Sequence, residues 1–483
     1  MTDQKINKIG PVDAFTLFIV LFFGAQIIQR LFLSPTLSVD EAEQFILSQS
    51  FAWGYNEQPP LYTWLQMFAM QVFGDNVLSL SLLKNLIFCV TFIFYYKLGK
   101  LLTGSQGKAI AATLGLYLIP QIFWEAKVDQ THSVLVTMAS VLCMYSLVQI
   151  VTGKTSAVRF LLFGLACGVG ILSKYNIVLL LVPALFSSLC FAELRRNFLQ
   201  KKLLWAACSF ALITAPHVIW FFGHVLTATK STVARMHQHN PAETSFAMLG
   251  GLTDLFLATL TFTALLLVVW GVLYRKGLQF SLSTLWKKYF TLFFAAVYAL
   301  LLVLIVALNI TSIKERWLLP YLIYVPLFFS LSTSQEVISA KIKKMGGICI
   351  AIAVLSAGGY LGLPRLSDLT KHASRIQTPF VELKPKIGQI MARSEDALVY
   401  AENYFLGGNI RHLFPERFVV TKIQDSALQK KSVILAFYTK REPKVLQRLQ
   451  ALDYACSTGA LQEPYLYSSD ISYTLNYQLC SRQ

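Results

Sequence analysis

The chain has 483 residues, of which 55% are hydrophobic, 13% aromatic and only 14% charged, so it is more apolar and less charged than a soluble domain. Its 42 Lys and Arg against 25 Asp and Glu leave a formal charge of +17. The positive residues fall in short clusters between apolar runs, the mark of membrane topology and contact with membrane lipids, and this argues against nucleic-acid binding.

Apolar runs long enough to cross about 30 Å of hydrocarbon recur along the first three quarters of the chain. Helices are the economical reading, because lipid leaves no partner for an open backbone and the runs lack the alternation of barrel strands. The runs predict eleven transmembrane helices, at about 12–33, 79–97, 108–126, 131–151, 159–172, 176–192, 203–222, 251–273, 289–310, 317–333 and 345–363. The first run lacks the pattern of a cleaved signal and stays as a span. The fifth and sixth are expected to break around Ser173-Lys174-Tyr175-Asn176, the rival being one long span with a buried lysine that would reverse every later orientation.

Positive charge favours the break. With the N-terminus cytoplasmic, Lys5, Lys8, Lys97, Lys100, Lys154, Arg195 and Arg196 all fall on the cytoplasmic side, as do Lys287, Lys288, Lys343 and Lys344. The first outer loop 34–78, loop 223–250 and everything after about 364 then face outward. Composition changes there as well: short β-like runs at 397–400, 418–421 and 432–438 predict a small α/β domain over 364–483, outside a transmembrane domain 1–363. Cys456 and Cys480 share that outer domain and are a possible disulfide if it lies in an oxidising compartment. The cysteines and histidines have no metal-ligand spacing, no metal or other cofactor is implied, and no phosphate-binding glycine loop occurs.

The first outer loop carries Asp40, Glu41, Glu43 and Glu57 with no Lys or Arg between Ser34 and Gln66. Ser38-Val-Asp-Glu41 is a capping-box pattern, which gives Glu41 a structural explanation. Asp40 is not needed by the cap, though it suits the dipole of a first turn. The segment turns at Trp53-Gly54-Tyr55 and restarts as a helix after Pro59-Pro60. Ionisable residues near the same boundary, including Arg30, Lys84, Asp129, Lys174 and Arg316, each cost several kcal/mol in hydrocarbon unless paired or wetted.

These residues resemble a family. Asp-Glu at the start of the first outer loop, then Gly-Tyr, Pro-Pro-Leu and Trp-Leu, is similar to the polyprenyl-phosphate-sugar glycosyltransferases related to dolichyl-phosphate-mannose protein mannosyltransferases and the aminoarabinose lipid A transferase. Lys84, Asp129, Leu172-Ser-Lys174-Tyr, Ala215-Pro-His-Val-Ile-Trp220 and Arg316-Trp-Leu-Leu-Pro320 follow in the family's order, over about residues 30–330. One departure is Gln58 before Pro59-Pro60, where the family usually has histidine. The variant is also similar to envelope glycosyltransferases of Gram-negative bacteria, including ones that place uronic acids on lipopolysaccharide core or lipid A.

The resemblance implies a GT-C fold, an all-α membrane bundle with an outward cavity and a C-terminal soluble domain. The enzyme it implies sits in the bacterial inner membrane with its site facing the periplasm, and moves a sugar from polyprenyl phosphate to a lipid or glycan acceptor with inversion. Asp40 and Glu41 are then the candidate catalytic carboxylates, with Asp40 expected as general base toward an acceptor hydroxyl, or as an orienting group if the acceptor is already an anion. Arg30, Lys84, Lys174 and Arg316 are candidates for the donor phosphate, and Glu43, Tyr55, Gln58, Pro59, Asp129 and His237 for the substrate cavity. A transporter or flippase of lipid-linked saccharides is the alternative, but it calls for inverted repeats and midplane polar groups.

Overall fold

The computed structural model describes residues 13–482 apart from 56, 128, 238–246, 395, 423–432 and 440–452. The expectations for Lys5, Lys8 and residue 432 therefore lie outside the described residues.

Helices dominate up to residue 370. Among the described residues seven are long and apolar enough to cross a membrane: Ala14–Leu33, Val77–Thr103, His132–Val151, Leu203–Gly223, Leu249–Gly277, Leu285–Leu308 and Gln335–Thr370. The other four expected spans are helical but not simple. Gln106–Leu116 with Pro120–Lys127, and Tyr175–Cys190 with Ala192–Phe198, are pairs bent by 71° and 114°, while Ala157–Ser173 and Leu319–Leu331 are short. Proline explains the first bend, since Pro120 cannot continue the preceding helix and instead starts the next. Ala157–Ser173 stops at Lys174, whose backbone is extended (φ −167°), and a 3₁₀ turn Tyr175–Ile177 leads into the next helix, so the chain is broken at the lysine. The bundle core is aromatic, with Trp270, Tyr95, Tyr289, Phe290 and Tyr324 fully buried.

The first long loop is structured over its described residues. Ser38 caps the helix Val39–Leu47: Glu41 N–H donates to Ser38 Oγ (3.4 Å), and the Ser38 N–H donates to Glu41 Oε2 (3.0 Å). A turn brings the chain to Pro60, which precedes the helix Leu61–Phe73, and Gly74 ends that helix at φ +85°, where glycine carries no Cβ penalty.

The C-terminal part carries a five-stranded sheet: β1 (Leu398–Ala401), β2 (Val419–Val420), β3 (Val433–Tyr438), β4 (Tyr454–Pro464) and β5 (Ser472–Arg482), in the order β2-β1-β3-β5-β4. β1 pairs in parallel with β2 and β3, and β5 is antiparallel to β3 and β4. The helices Phe380–Ala392 and Tyr404–Leu413 pack Leu383, Ile387, Leu406 and Ile410 against Leu435 and Phe437, a core separate from that of the bundle. Cys456 and Cys480 are register partners on β4 and β5 and are joined by a disulfide.

This sheet unit grips the first loop. Gly408 lies so close to Ala42 that a Cβ would sit 2.1 Å from the Ala42 carbonyl oxygen. Two side-chain amides pair with backbone in the manner of strand residues. Asn409 accepts from Leu37 N (2.8 Å) and donates to its carbonyl (3.3 Å), while Gln49 accepts from Val419 N (2.9 Å) and donates to Val419 O (2.8 Å). The loop helix is thus hooked at both ends.

Candidate active site

A cavity of about 330 Å³ opens beside the loop helix. The first loop supplies Asp40, Glu43, Glu57, Gln58 and Pro59 to its wall; the bundle supplies His132, Ser133, Lys174, Tyr175 and Arg316; and the sheet unit supplies Tyr404. Carboxylates from one segment and cations from two others therefore share one space.

Asp40 is held from behind. Its Oδ2 accepts from the Gln130 N–H (2.9 Å), and its own N–H donates to Asp129 Oδ1 (3.3 Å). Gln130 reaches this position with φ +69°, a left-handed conformation that costs a non-glycine residue about 1 kcal/mol, and its side chain is tied to Glu125 Oε2 (2.8 Å). Asp129 is placed behind Asp40 and does not line the cavity. Burial, and then the Asp40 charge, push the Asp129 carboxyl above its ordinary range.

Arg30, Glu41 and Lys84 form a second layer away from the cavity wall, 4%, 1% and 3% exposed. Arg30 grips Glu41 with two hydrogen bonds (3.0 and 2.6 Å) and donates two more to the carbonyls of Ser34 (2.7 Å) and Thr36 (3.1 Å). Lys84 lies 4.0 Å from Glu41 and donates to the Asp129 carbonyl (3.2 Å). Burial alone would raise the Glu41 carboxyl, but the charges and hydrogen bonds of Arg30, aided by Lys84, hold it down at about 2. The layer braces the start of the loop helix from inside.

The cationic wall is built on two breaks in the bundle. Lys174 donates to Ser133 Oγ (2.9 Å), and Asn176 donates to the Trp317 carbonyl (3.1 Å), which ties the broken span to the 3₁₀ turn Glu315–Trp317 that carries Arg316.

Two other candidates stand elsewhere. Tyr55 is buried in the loop turn, donating to Ser50 O (2.9 Å) and accepting from Ala52 N (3.0 Å), so its work is to shape the turn. His237 links the carbonyls of Val233 (2.8 Å) and Leu308 (3.0 Å) and is not among the lining residues.

The cavity also contains residues that spacing did not select. His132 is held by Gln44 (3.3 Å), which itself accepts from Thr63 (3.0 Å), and the one available sign was its place in Asp129-Gln-Thr-His132, where it reads as the start of a helix. Tyr404 comes from the sheet unit; burial, then the charges of Glu43 and Glu57, push its phenol upward. Nothing in the sequence ties Tyr404 to the first loop. Among the described residues no three His, Cys, Asp or Glu side chains converge as a metal site.

Residues 57–220 match the family model described as dolichyl-phosphate-mannose-protein mannosyltransferase. The chain is 30% identical over 420 residues to the lipopolysaccharide core galacturonosyltransferase RgtB of Rhizobium johnstonii, covering 86% of this chain and 83% of that one. It is 29% identical to RgtA of the same organism, also a lipopolysaccharide core galacturonosyltransferase, over 84% of this chain and 81% of the relative. The fold matches that of ArnT from Cupriavidus metallidurans, solved bound to undecaprenyl phosphate, with TM-score 0.57 and 13% identity over 96% of this chain and 98% of that one. The apo form of the same protein matches equally well, with TM-score 0.57 over 97% and 98% of the two chains. The chain belongs to the GT-C family of the two galacturonosyltransferases, matches the protein mannosyltransferase model over residues 57–220, shares the fold of ArnT, and is a multi-pass membrane glycosyltransferase.

Proposed function

We propose that the chain transfers a uronic acid, galacturonic acid by kinship, from polyprenyl phosphate to a hydroxyl of lipopolysaccharide core or lipid A. The observation that carries this reading is the meeting of Asp40 with Lys174 and Arg316 around one cavity. The acceptor oxygen attacks the anomeric carbon as its proton passes to Asp40. The bond from that carbon to the phosphate oxygen breaks with inversion, and the electron pair leaves with the polyprenyl phosphate. Lys174 and Arg316 meet the charge that develops there. Arg30, Glu41 and Lys84 act one layer away by fixing the loop helix, and Glu43, Glu57, Gln58 and Tyr404 shape the acceptor side.

The site faces the periplasm across the inner membrane, with the N-terminus cytoplasmic and residues 364–483 a periplasmic domain. This orientation rests on the distribution of Lys and Arg between loops. The sugar is supported by the names of the two relatives, and the lipid carrier by the ArnT fold bound to undecaprenyl phosphate.

Mass spectrometry of lipopolysaccharide from cells with and without the protein tests the reading. A difference of one hexuronic acid residue on core or lipid A is expected. Identical masses, with the protein present in the membrane, would remove the proposed acceptor and sugar.

A further inference from the structure

The Ala215-Pro-His-Val-Ile-Trp220 element has no part in the reaction as written above, yet it is built into the cavity's support. Trp220 occupies the space over Gly54, where a Cβ would lie 2.2 Å from the Trp220 ring, so the loop passes there only as glycine. One turn earlier, His217 is 1% exposed and lies between two oxygens, with Nδ1 2.7 Å from the Trp53 carbonyl and Nε2 3.0 Å from the Tyr175 hydroxyl.

The proton positions follow from what each group can do. A carbonyl only accepts, so Nδ1 carries the hydrogen. No carboxylate forms an ion pair with His217 among the described residues, and an unpaired buried imidazole is neutral, which leaves Nε2 as a lone pair. Tyr175 must then donate its O–H to Nε2. Its oxygen has only lone pairs to offer any other partner.

Tyr175 lines the cavity between Lys174 and Asn176, on the wall that Asn176 ties to the Arg316 turn. A phosphate oxygen is itself an acceptor and gains nothing from that phenol, whereas it is drawn to the two cations. A sugar hydroxyl is the complementary group. The attacking acceptor hydroxyl belongs with Asp40, where its proton goes, whereas Tyr175 stands beside Lys174, on the wall assigned to the donor phosphate, so the hydroxyl it meets is one on the sugar being transferred. We infer that Tyr175 is a donor-specificity residue that accepts a hydrogen bond from one hydroxyl of the lipid-linked sugar, and that His217 is a positioning residue that fixes the direction of that bond. The inference rests on the function proposed above.

The test uses the full-length protein in membranes, with polyprenyl-phosphate galacturonic acid and its set of monodeoxy analogues as donors. For the wild type, one analogue is expected to lose about three- to tenfold in kcat/KM relative to the parent, the range of one neutral hydrogen bond. Tyr175→Phe should abolish the difference between that analogue and the parent. His217→Asn keeps a donor for the Trp53 carbonyl but no acceptor within reach of Tyr175; it should weaken the same discrimination at unchanged abundance, an effect that loss of packing would not confine to one analogue. If wild type and Tyr175→Phe rank all analogues alike, the specificity role is gone while transfer itself stands. Intact discrimination in His217→Asn overturns the positioning role. Wild type that turns over none of these donors overturns the proposed donor and this inference together.

Discussion

Asp40 and Asp129 hold each other's segments in place: the Asp40 N–H donates to Asp129 Oδ1 at 3.3 Å, while the Asp40 carboxylate receives the N–H of Gln130 at 2.9 Å. The two carboxylates stand in series, one on the cavity wall and one behind it. A side chain fixed through one oxygen keeps its orientation while the group still faces the substrate space, as a general base needs.

Asp40→Asn preserves size and removes the proposed base. Transfer by membranes carrying this variant should fall by about 10²- to 10⁴-fold at unchanged protein abundance. Wild-type rates from the variant would take Asp40 out of the mechanism.

Glu41→Gln leaves Arg30 buried with half of its partner lost, a change that costs about 3–5 kcal/mol in comparable buried pairs. The detergent-solubilised variant should melt well below the wild type, yet its rate per folded molecule should stay near normal. A stable but inactive Glu41→Gln protein would make the carboxylate catalytic.

The same pair gives a pH dependence. The Glu41 carboxyl is held at about 2 in the folded protein, below its ordinary value of 4.5, so its contribution is fully present above about 4.5 and is lost as pH falls toward 2. Thermal stability of the wild type should drop through that window more steeply than that of Glu41→Gln. Parallel curves would show that the charged pair contributes nothing to stability.

Gly408→Val puts side-chain atoms where the Ala42 carbonyl oxygen now sits. The sheet unit should separate from the loop helix, seen as faster limited proteolysis after residue 364, and transfer should fall although no cavity residue has changed. Unaltered proteolysis and rate would mean that the contact has no part in placing Asp40.

Cys456→Ser with Cys480→Ser opens a crosslink spanning 24 residues, which should lower the stability of the sheet unit by about 3 kcal/mol. Thiol titration of the unfolded wild type with and without reductant should differ by the two cysteines. Equal counts would exclude the bond.

What the sequence revealed followed from local physics. Every expected span fell on an apolar helical segment, because length and hydropathy are properties of a continuous stretch. Asp40 stood out because the cap at Ser38 accounts for Glu41 and leaves Asp40 over. The roles of Arg30 and Lys84 were not legible, since both point at Glu41 from different spans and no spacing along one helix encodes that. β4 escaped notice because its polar, exposed Ser457-to-Pro464 stretch lacks the apolar alternation of a half-buried strand. Tyr404 reaches the cavity through the Gly408 contact, a relationship between backbones that side-chain chemistry does not announce.

The hooks made by Asn409 and Gln49 decide when the disorder of the first loop is lost. A loop tethered only to two spans would have to be ordered by the substrate, and that cost would be subtracted from every binding event. Here each end of the loop helix is pinned to the folded sheet unit by a pair of amide hydrogen bonds, one pair from the helix Tyr404–Leu413 and one to β2. The ordering is completed once, as the protein folds, and the arriving lipid meets a surface already set for it.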